Sequence, residues 1–204
     1  TPQGDDPLAV CWEAIRLARA LAAHPATAKH IATKLAQHFA ADVPPPALVA
    51  RLEKSFLESG GDLPHLYRTL IESPEMWLPA QAKFKSPWDW VISSLRALNV
   101  RELPNSRQSV NLLAQLGQPI WKPGSPAGFS DTTENWAGGA ALMRRVEIAS
   151  RLAERSANRV DARILAPRIL SGQLGVMTTE SIARAESPSQ GLALLLLSPE
   201  FLRR

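Results

Sequence analysis

The chain has 204 residues, a net charge of +4, 45% hydrophobic residues and 21% charged ones. That balance excludes disorder as the main state and gives ample apolar material for a core. The longest apolar run, residues 192–197, is far too short to cross a bilayer. A single cysteine, Cys11, excludes an internal disulfide and a thiolate metal cluster.

Residues 1–7 read as a disordered lead, polar and acidic, with no signal peptide in it. A first helix is predicted over residues 7–23, with Leu8, Trp12, Ile15 and Leu21 apolar and Cys11 a packed small hydrophobe rather than a nucleophile. In HPATAKHIATKLAQHF, Ala28, Ile31, Ala32, Leu35 and Phe39 form one apolar stripe, and Pro25 suits the first turn. His30, Lys34 and His38 line a second stripe. With no Cys or carboxylate at ligand spacing, it reads as a solvated basic face rather than a metal or phosphate site.

In PPPALVARLEKSFLESGG, Leu48, Leu52 and Phe56 repeat at i+4, and Gly60-Gly61 supplies a left-handed stop. Asp62 is expected to cap the next helix, whose Leu63, Leu66, Leu70 and Ile71 are predicted to face inward. Ser86-Pro87 opens a further helix, with Asp89 placed as in a capping box and Trp88, Val91, Ile92, Leu95 and Leu98 as its buried face. A polar link, NVRELPNSR, leads to a helix with Val110, Leu113 and Leu116 inward and Gly117 as its stop.

Over residues 117–136 the periodicity is lost. This stretch holds three Pro and three Gly, with Trp121, Phe129 and Trp136 among them. A loop of this length without secondary structure is often a binding loop. Trp121, Phe129 and Trp136 are therefore candidate ligand-binding residues, an aromatic platform with Asp131 and Glu134 as acceptors for a sugar-like or peptide ligand. The alternative is a strap pegged by its aromatics, with Asp131 capping the helix that follows. Helix resumes from Gly139, Pro167 divides two short apolar turns, Thr178 or Thr179 caps a further helix, and Ser187-Pro188 starts the last long one.

From residue 140 onward there are ten Arg against six carboxylates, whereas the rest of the chain is balanced. Arg144, Arg151 and Arg155 share a helix face. Glu147 and Glu154 interleave with them and no stacking aromatics lie near, so the face reads as solvated and nucleic acid is disfavoured as a partner. The leucine-rich helices running into Ser-Pro-Glu at residues 66–77 and 192–204 read as one corner used twice. Phosphate-cradling loops, His-Glu-x-x-His, Cys-x-x-Cys and Gly-x-Ser-x-Gly are all missing from the sequence. Catalytic residues stay unknown, and neither metal nor cofactor is expected.

HPATAKHIATKLAQHFAADVPPPALVARL, SGGDLPHLYRTLIESPEMW, KFKSPWDWVISSLRAL, GQPIWKPGSPAGFSD and LLLLSPEFLRR together resemble the bacterial family catalogued as domain of unknown function 1800, over nearly the whole chain. The resemblance implies the C-terminal half of a longer family member. It also implies export to the periplasm or medium and an exported partner protein encoded nearby, with a cytoplasmic location left open. No catalytic residues are established for that family.

The expectation is thus all-α: an irregular multi-helix bundle of eight or nine helices in a single domain over residues 1–204, with one long ordered loop at 117–136. The expected role is a non-enzymatic scaffold or protein-interaction module. The alternatives are a ligand-binding or hydrolytic half-domain with its site at the loop and, more weakly, nucleic-acid binding through the arginines. A fragment would leave an apolar face exposed, showing as self-association or as a large apolar patch.

Overall fold

The computed structural model describes residues 7–78, 83–101 and 106–204. The predicted lead lies outside these apart from Pro7, as does part of the polar link. Among the described residues the protein is all-α, with eleven α-helices, one 3-10 turn and no strand. The sequence predicts fewer helices because two features escape its periodicity. One is a single-turn helix inside the loop. The other is the pair of apolar turns around Pro167, which form one helix with the proline inside it. The chain divides into two compact units, Thr1–Ala80 and Gln81–Arg204.

The first unit holds α1 (Pro7–Ala22), α2 (Pro25–Phe39), α3 (Pro46–Glu58), α4 (Leu63–Glu72) and a 3-10 turn, Pro74–Trp77. Proline at the first position suits α2 and α3, since the N–H it lacks would have no helical partner there. His24 caps α2, its Nδ1 accepting from the N–H of Ala26 at 3.1 Å. Ala28, Ala32 and Ala36 of α2 are fully buried, and Leu48, Leu52 and Phe56 of α3 and Leu66 and Leu70 of α4 complete this core. The small alanines let helices approach closely, so the inward stripe is theirs and Phe39, expected inside, is exposed. Asp62 stands at the N-cap of α4 without a side-chain cap bond.

At the end of α3, the Gly60 N–H donates to the Leu57 carbonyl at 3.2 Å and the Gly61 N–H to the Phe56 carbonyl at 2.8 Å. This is a Schellman stop, and both glycines have positive φ. A Cβ on Gly61 would meet the Phe56 ring at 3.2 Å. Gly61→Ala is therefore expected to lower the unfolding free energy by about 1–2 kcal/mol. An unchanged urea midpoint would contradict that account.

Apolar side chains of this unit also point outward. Val10, Trp12, Ile15, Leu17 and Leu21 of α1 are exposed, as is Cys11, which is therefore not the packed residue expected. On α4, Leu63 and Ile71 are exposed rather than buried, and with Tyr67 they form an outward stripe at i, i+4 and i+8. Trp77, also exposed, extends that stripe by donating its indole N–H to the Ile71 carbonyl at 2.7 Å.

The second unit holds α5 (Pro87–Ala97), α6 (Ser106–Gln115), α7 (Thr133–Trp136), α8 (Gly139–Ser156), α9 (Ala162–Ile169), α10 (Val176–Ala183) and α11 (Pro188–Leu196). Its core joins Trp90 and Val91 of α5, Ile148 and Leu152 of α8, and Leu192, Leu195 and Leu196 of α11. Trp88, expected inside, is 50% exposed, whereas Trp90 is 0% exposed and donates its indole N–H to the Leu196 carbonyl at 2.9 Å. The face of α5 is thus turned so that the tryptophan with a carbonyl to reach is the buried one. Val110, expected inside, is exposed, whereas Leu113 of α6 and Leu116 just after it are buried.

Ser86 caps α5 by accepting from the Asp89 N–H at 3.2 Å and donating to Asp89 Oδ2 at 3.0 Å. Ser187 caps α11 by accepting from the Gln190 N–H at 3.1 Å. Neither expected threonine caps α10. Glu200, beyond α11, accepts from the Gly175 N–H at 3.0 Å and from the Thr178 hydroxyl at 2.8 Å. A carboxylate is favoured at that helix start.

The other Ser-Pro-Glu corner uses its glutamate in the same way: Glu75 takes two hydrogen bonds from Arg51 of α3, at 2.9 and 3.2 Å. In each corner the serine is buried and the glutamate ties the turn to a neighbouring helix.

Candidate functional site

The loop over residues 117–136 leaves α6 at Gly117, whose φ is 88°. Gln118 then turns its Oε1 back to accept the Trp88 N–H at 2.8 Å, satisfying a donor at the start of α5. Trp121 follows at φ 56°, a bulky residue in the left-handed region, and its side chain is 94% exposed. A ring so exposed packs on nothing.

Phe129 and Trp136 do come together, with centroids 6.1 Å apart and planes tilted by 51°. Trp136 is buried, and its indole N–H donates to the Ser130 carbonyl at 2.9 Å. Asn135 Nδ2 donates to Ser130 Oγ and Thr132 Oγ1, both at 2.8 Å. Thr132, not Asp131, occupies the N-cap of α7. Asp131 is half-buried, and Glu134 is exposed in the first turn of α7. Of the five candidate residues, the structure pairs Phe129 with Trp136 and leaves Trp121 apart from them.

The loop is fastened by a residue the sequence reading passed over. Lys83 is 2% exposed, and its ammonium donates to the Asp131 carbonyl. Residues 83–85 lie along the last residues of the chain. The Arg204 N–H donates to the Lys83 carbonyl at 2.8 Å and the Lys85 N–H to the Leu202 carbonyl at 2.8 Å, around an antiparallel bridge between Phe84 and Arg203. This pairing turns Phe84 into the protein interior and leaves the two lysines with polar work on either side of it.

Lys85 Nζ donates to the Phe201 carbonyl at 2.7 Å and lies 4.2 Å from the centre of the Phe201 ring. Arg145 of α8 is 1% exposed. Its guanidinium stands 4.6 Å from the Phe84 ring centre and 5.5 Å from that of Trp90, and Nη2 donates to the Lys85 carbonyl at 2.7 Å. Its Nη1 is buried with no hydrogen-bond partner among the described residues.

Burial pulls the Arg145 guanidinium down to about 10, partly opposed by Asp89. The Lys85 ammonium is drawn down to about 8, mainly by burial and further by Arg145 and Arg204, against the raising effect of Asp89. Asp89 itself lies 3.4 Å from Arg204 Nη1. This is a cluster with more cations than carboxylates, partly out of water, where each unmatched charge is costly. The alternating Lys-Phe-Lys before a helix cap was the available signal, but period-2 spacing does not reveal which side chains are buried.

The arginines of α8 are partly engaged as well. Arg144 donates to the Gln115 carbonyl at 3.2 Å, serving the C-terminal end of α6, and Arg151 donates to the Gln115 side chain at Oε1, at 3.1 Å. No group of three or more metal-ligating side chains occurs among the described residues, and no helix there is long and apolar enough to cross a membrane.

The chain belongs to the family described as protein of unknown function (DUF1800), whose sequence profile matches residues 4–203. No curated protein and no solved structure matches it.

Proposed function

We propose, from the premise that the chain is a member of this family, that it acts without chemistry of its own as a helical docking module. Its binding surface is the outward apolar side of the first unit, and its occupant is a helical partner protein. The observation that supports this reading is α1. Val10, Leu17 and Leu21 recur at i, i+7 and i+11 on one side of it, while Trp12 and Ile15 fall on the opposite side, and all five are exposed. The Glu13–Arg16 ion pair, at 3.3 Å, takes up part of the remaining surface.

A helix apolar on opposite sides is one that packs on both. Burying each such side chain is worth about 1.5–3 kcal/mol. A groove between partner helices supplies two walls at once, which is the helix-in-groove mode of recognition. The stripe of Leu63, Tyr67, Ile71 and Trp77 gives the same unit a further apolar face.

Three readouts on the purified chain test this: light scattering over a concentration series, amide exchange along α1, and binding of the dye anilinonaphthalene sulfonate. A monomer with fast-exchanging α1 amides that binds the dye is expected, and Leu17→Ser with Leu21→Ser should reduce the dye signal without lowering Tm. A monomer with protected α1 amides and no dye binding would defeat the proposal. A dimer that protects α1 would also defeat it, because the occupant would then be a second copy. An exported bacterial setting, periplasmic or secreted, belongs to the same proposal and rests on the family resemblance alone. Recovery of the native gene product from the cytosolic fraction would overturn it.

A further inference from the structure

A cavity of about 380 Å³ opens in the second unit, beside the cation cluster. Lys85, Arg96, Arg203 and Arg204 contribute to its lining, and Glu200 is its one carboxylate. Glu200 is already committed to the Gly175 N–H and the Thr178 hydroxyl, and these bonds help hold its carboxyl below the usual range although burial pushes the other way. Asp89, outside the lining, neutralises Arg204 in part. Arg96 and Arg203 make no ion pair among the described residues. Behind Lys85 lies Arg145, a further buried cation. Ala97, Ile169 and Phe201 add apolar surface to the lining, with the Phe201 ring directly beside Lys85 Nζ.

We propose that this cavity binds a small organic phosphate monoester, its phosphoryl group between Lys85, Arg96 and Arg203 and its apolar body against Phe201 and Ile169. Guanidinium forks match phosphate oxygens in pairs, and a lysine adds a compact charge. A dianion suits an excess of at least two positive charges better than a carboxylate does. The volume lies at the small end of ligand sites, which suits a one-ring or short-chain body. This site shares no residue with the docking face of the first unit, so either proposal can fail alone.

Titration calorimetry at low salt and pH 7 tests it, with phenyl phosphate, inorganic phosphate and benzoate as probes. Saturable binding of phenyl phosphate is expected, about tenfold or more tighter than inorganic phosphate, because the ring is buried. Benzoate should be weaker than phenyl phosphate. Arg96→Gln and Arg203→Gln lie at exposed positions and should fold normally; each should weaken binding by about tenfold. Affinity should also fall between pH 7 and pH 9.5 as Lys85 loses its proton among Asp89, Arg145 and Arg204, and Lys85→Gln should flatten that profile. Equal affinity for inorganic and phenyl phosphate would reduce the site to an adventitious ion only and overturn the proposal. Tighter binding of benzoate, no saturable binding of phenyl phosphate, or binding unchanged in both arginine variants would overturn it too.

Discussion

Trp90→Ala is expected to lower the unfolding free energy of the second unit by about 3–5 kcal/mol. The indole is fully buried where α5, α8 and α11 supply the core, and its N–H is the donor satisfying the Leu196 carbonyl near the end of α11. Truncation removes the apolar contacts, leaves a cavity in a close-packed interior, and strands a buried acceptor. It also removes one of the two rings beside the Arg145 guanidinium. Trp88→Ala serves as the internal control. Half exposed, with its backbone N–H rather than its ring held by Gln118, it should change stability by no more than about 0.5–1 kcal/mol. Urea unfolding followed by circular dichroism separates the two, and equal losses would refute the assignment of Trp90 as the core residue.

The second large effect concerns Arg145, where size and charge pull in opposite directions. Arg145→Ala should lower stability by about 2–4 kcal/mol, because the long side chain fills space between Phe84 and Trp90 and its loss opens a cavity. Arg145→Met should stay within about 1 kcal/mol of the wild type. Methionine fills much of the same volume without a buried cation that makes no ion pair among the described residues and has one nitrogen unmatched. The depressed pKa of about 10 carries the same message, that the site disfavours the charge it holds. If the Met variant were as damaged as the Ala variant, the hydrogen bond to the Lys85 carbonyl would outweigh desolvation and this account would fail.

Much of the fold was legible because helix starts and stops are local chemistry. Ser86 and Ser187 cap with their own hydroxyls, Gly60-Gly61 and Gly117 end helices at positive φ, and the Leu48–Leu52–Phe56 stripe is buried as its spacing predicts. The loop over residues 117–136 was legible as a break in periodicity, yet its internal arrangement was not. Nothing in the spacing of Trp121, Phe129 and Trp136 says that the last two pair while the first points away. The anchor of the loop was equally hidden, because Lys83 lies 48 residues before the carbonyl it holds.

The sequence by itself determined the all-α class, the positions of most helix ends, the corner shared by two Ser-Pro-Glu turns and the family. All of these depend on neighbours within a turn or two, or on the order of residues along the chain. Tertiary structure alone decided which of Trp88 and Trp90 is buried, that alanines rather than Phe39 line the α2 contact, and that Leu63, Tyr67 and Ile71 face outward. It also decided which distant carbonyls Lys83, Lys85 and Arg145 reach: those of Asp131, Phe201 and Lys85. Adjacent helical positions differ by about 100° of rotation, so an apolar pattern permits several inward faces. The packing partner selects among them, and for a buried cation the partner is a carbonyl or ring distant in sequence, beyond the reach of any local pattern.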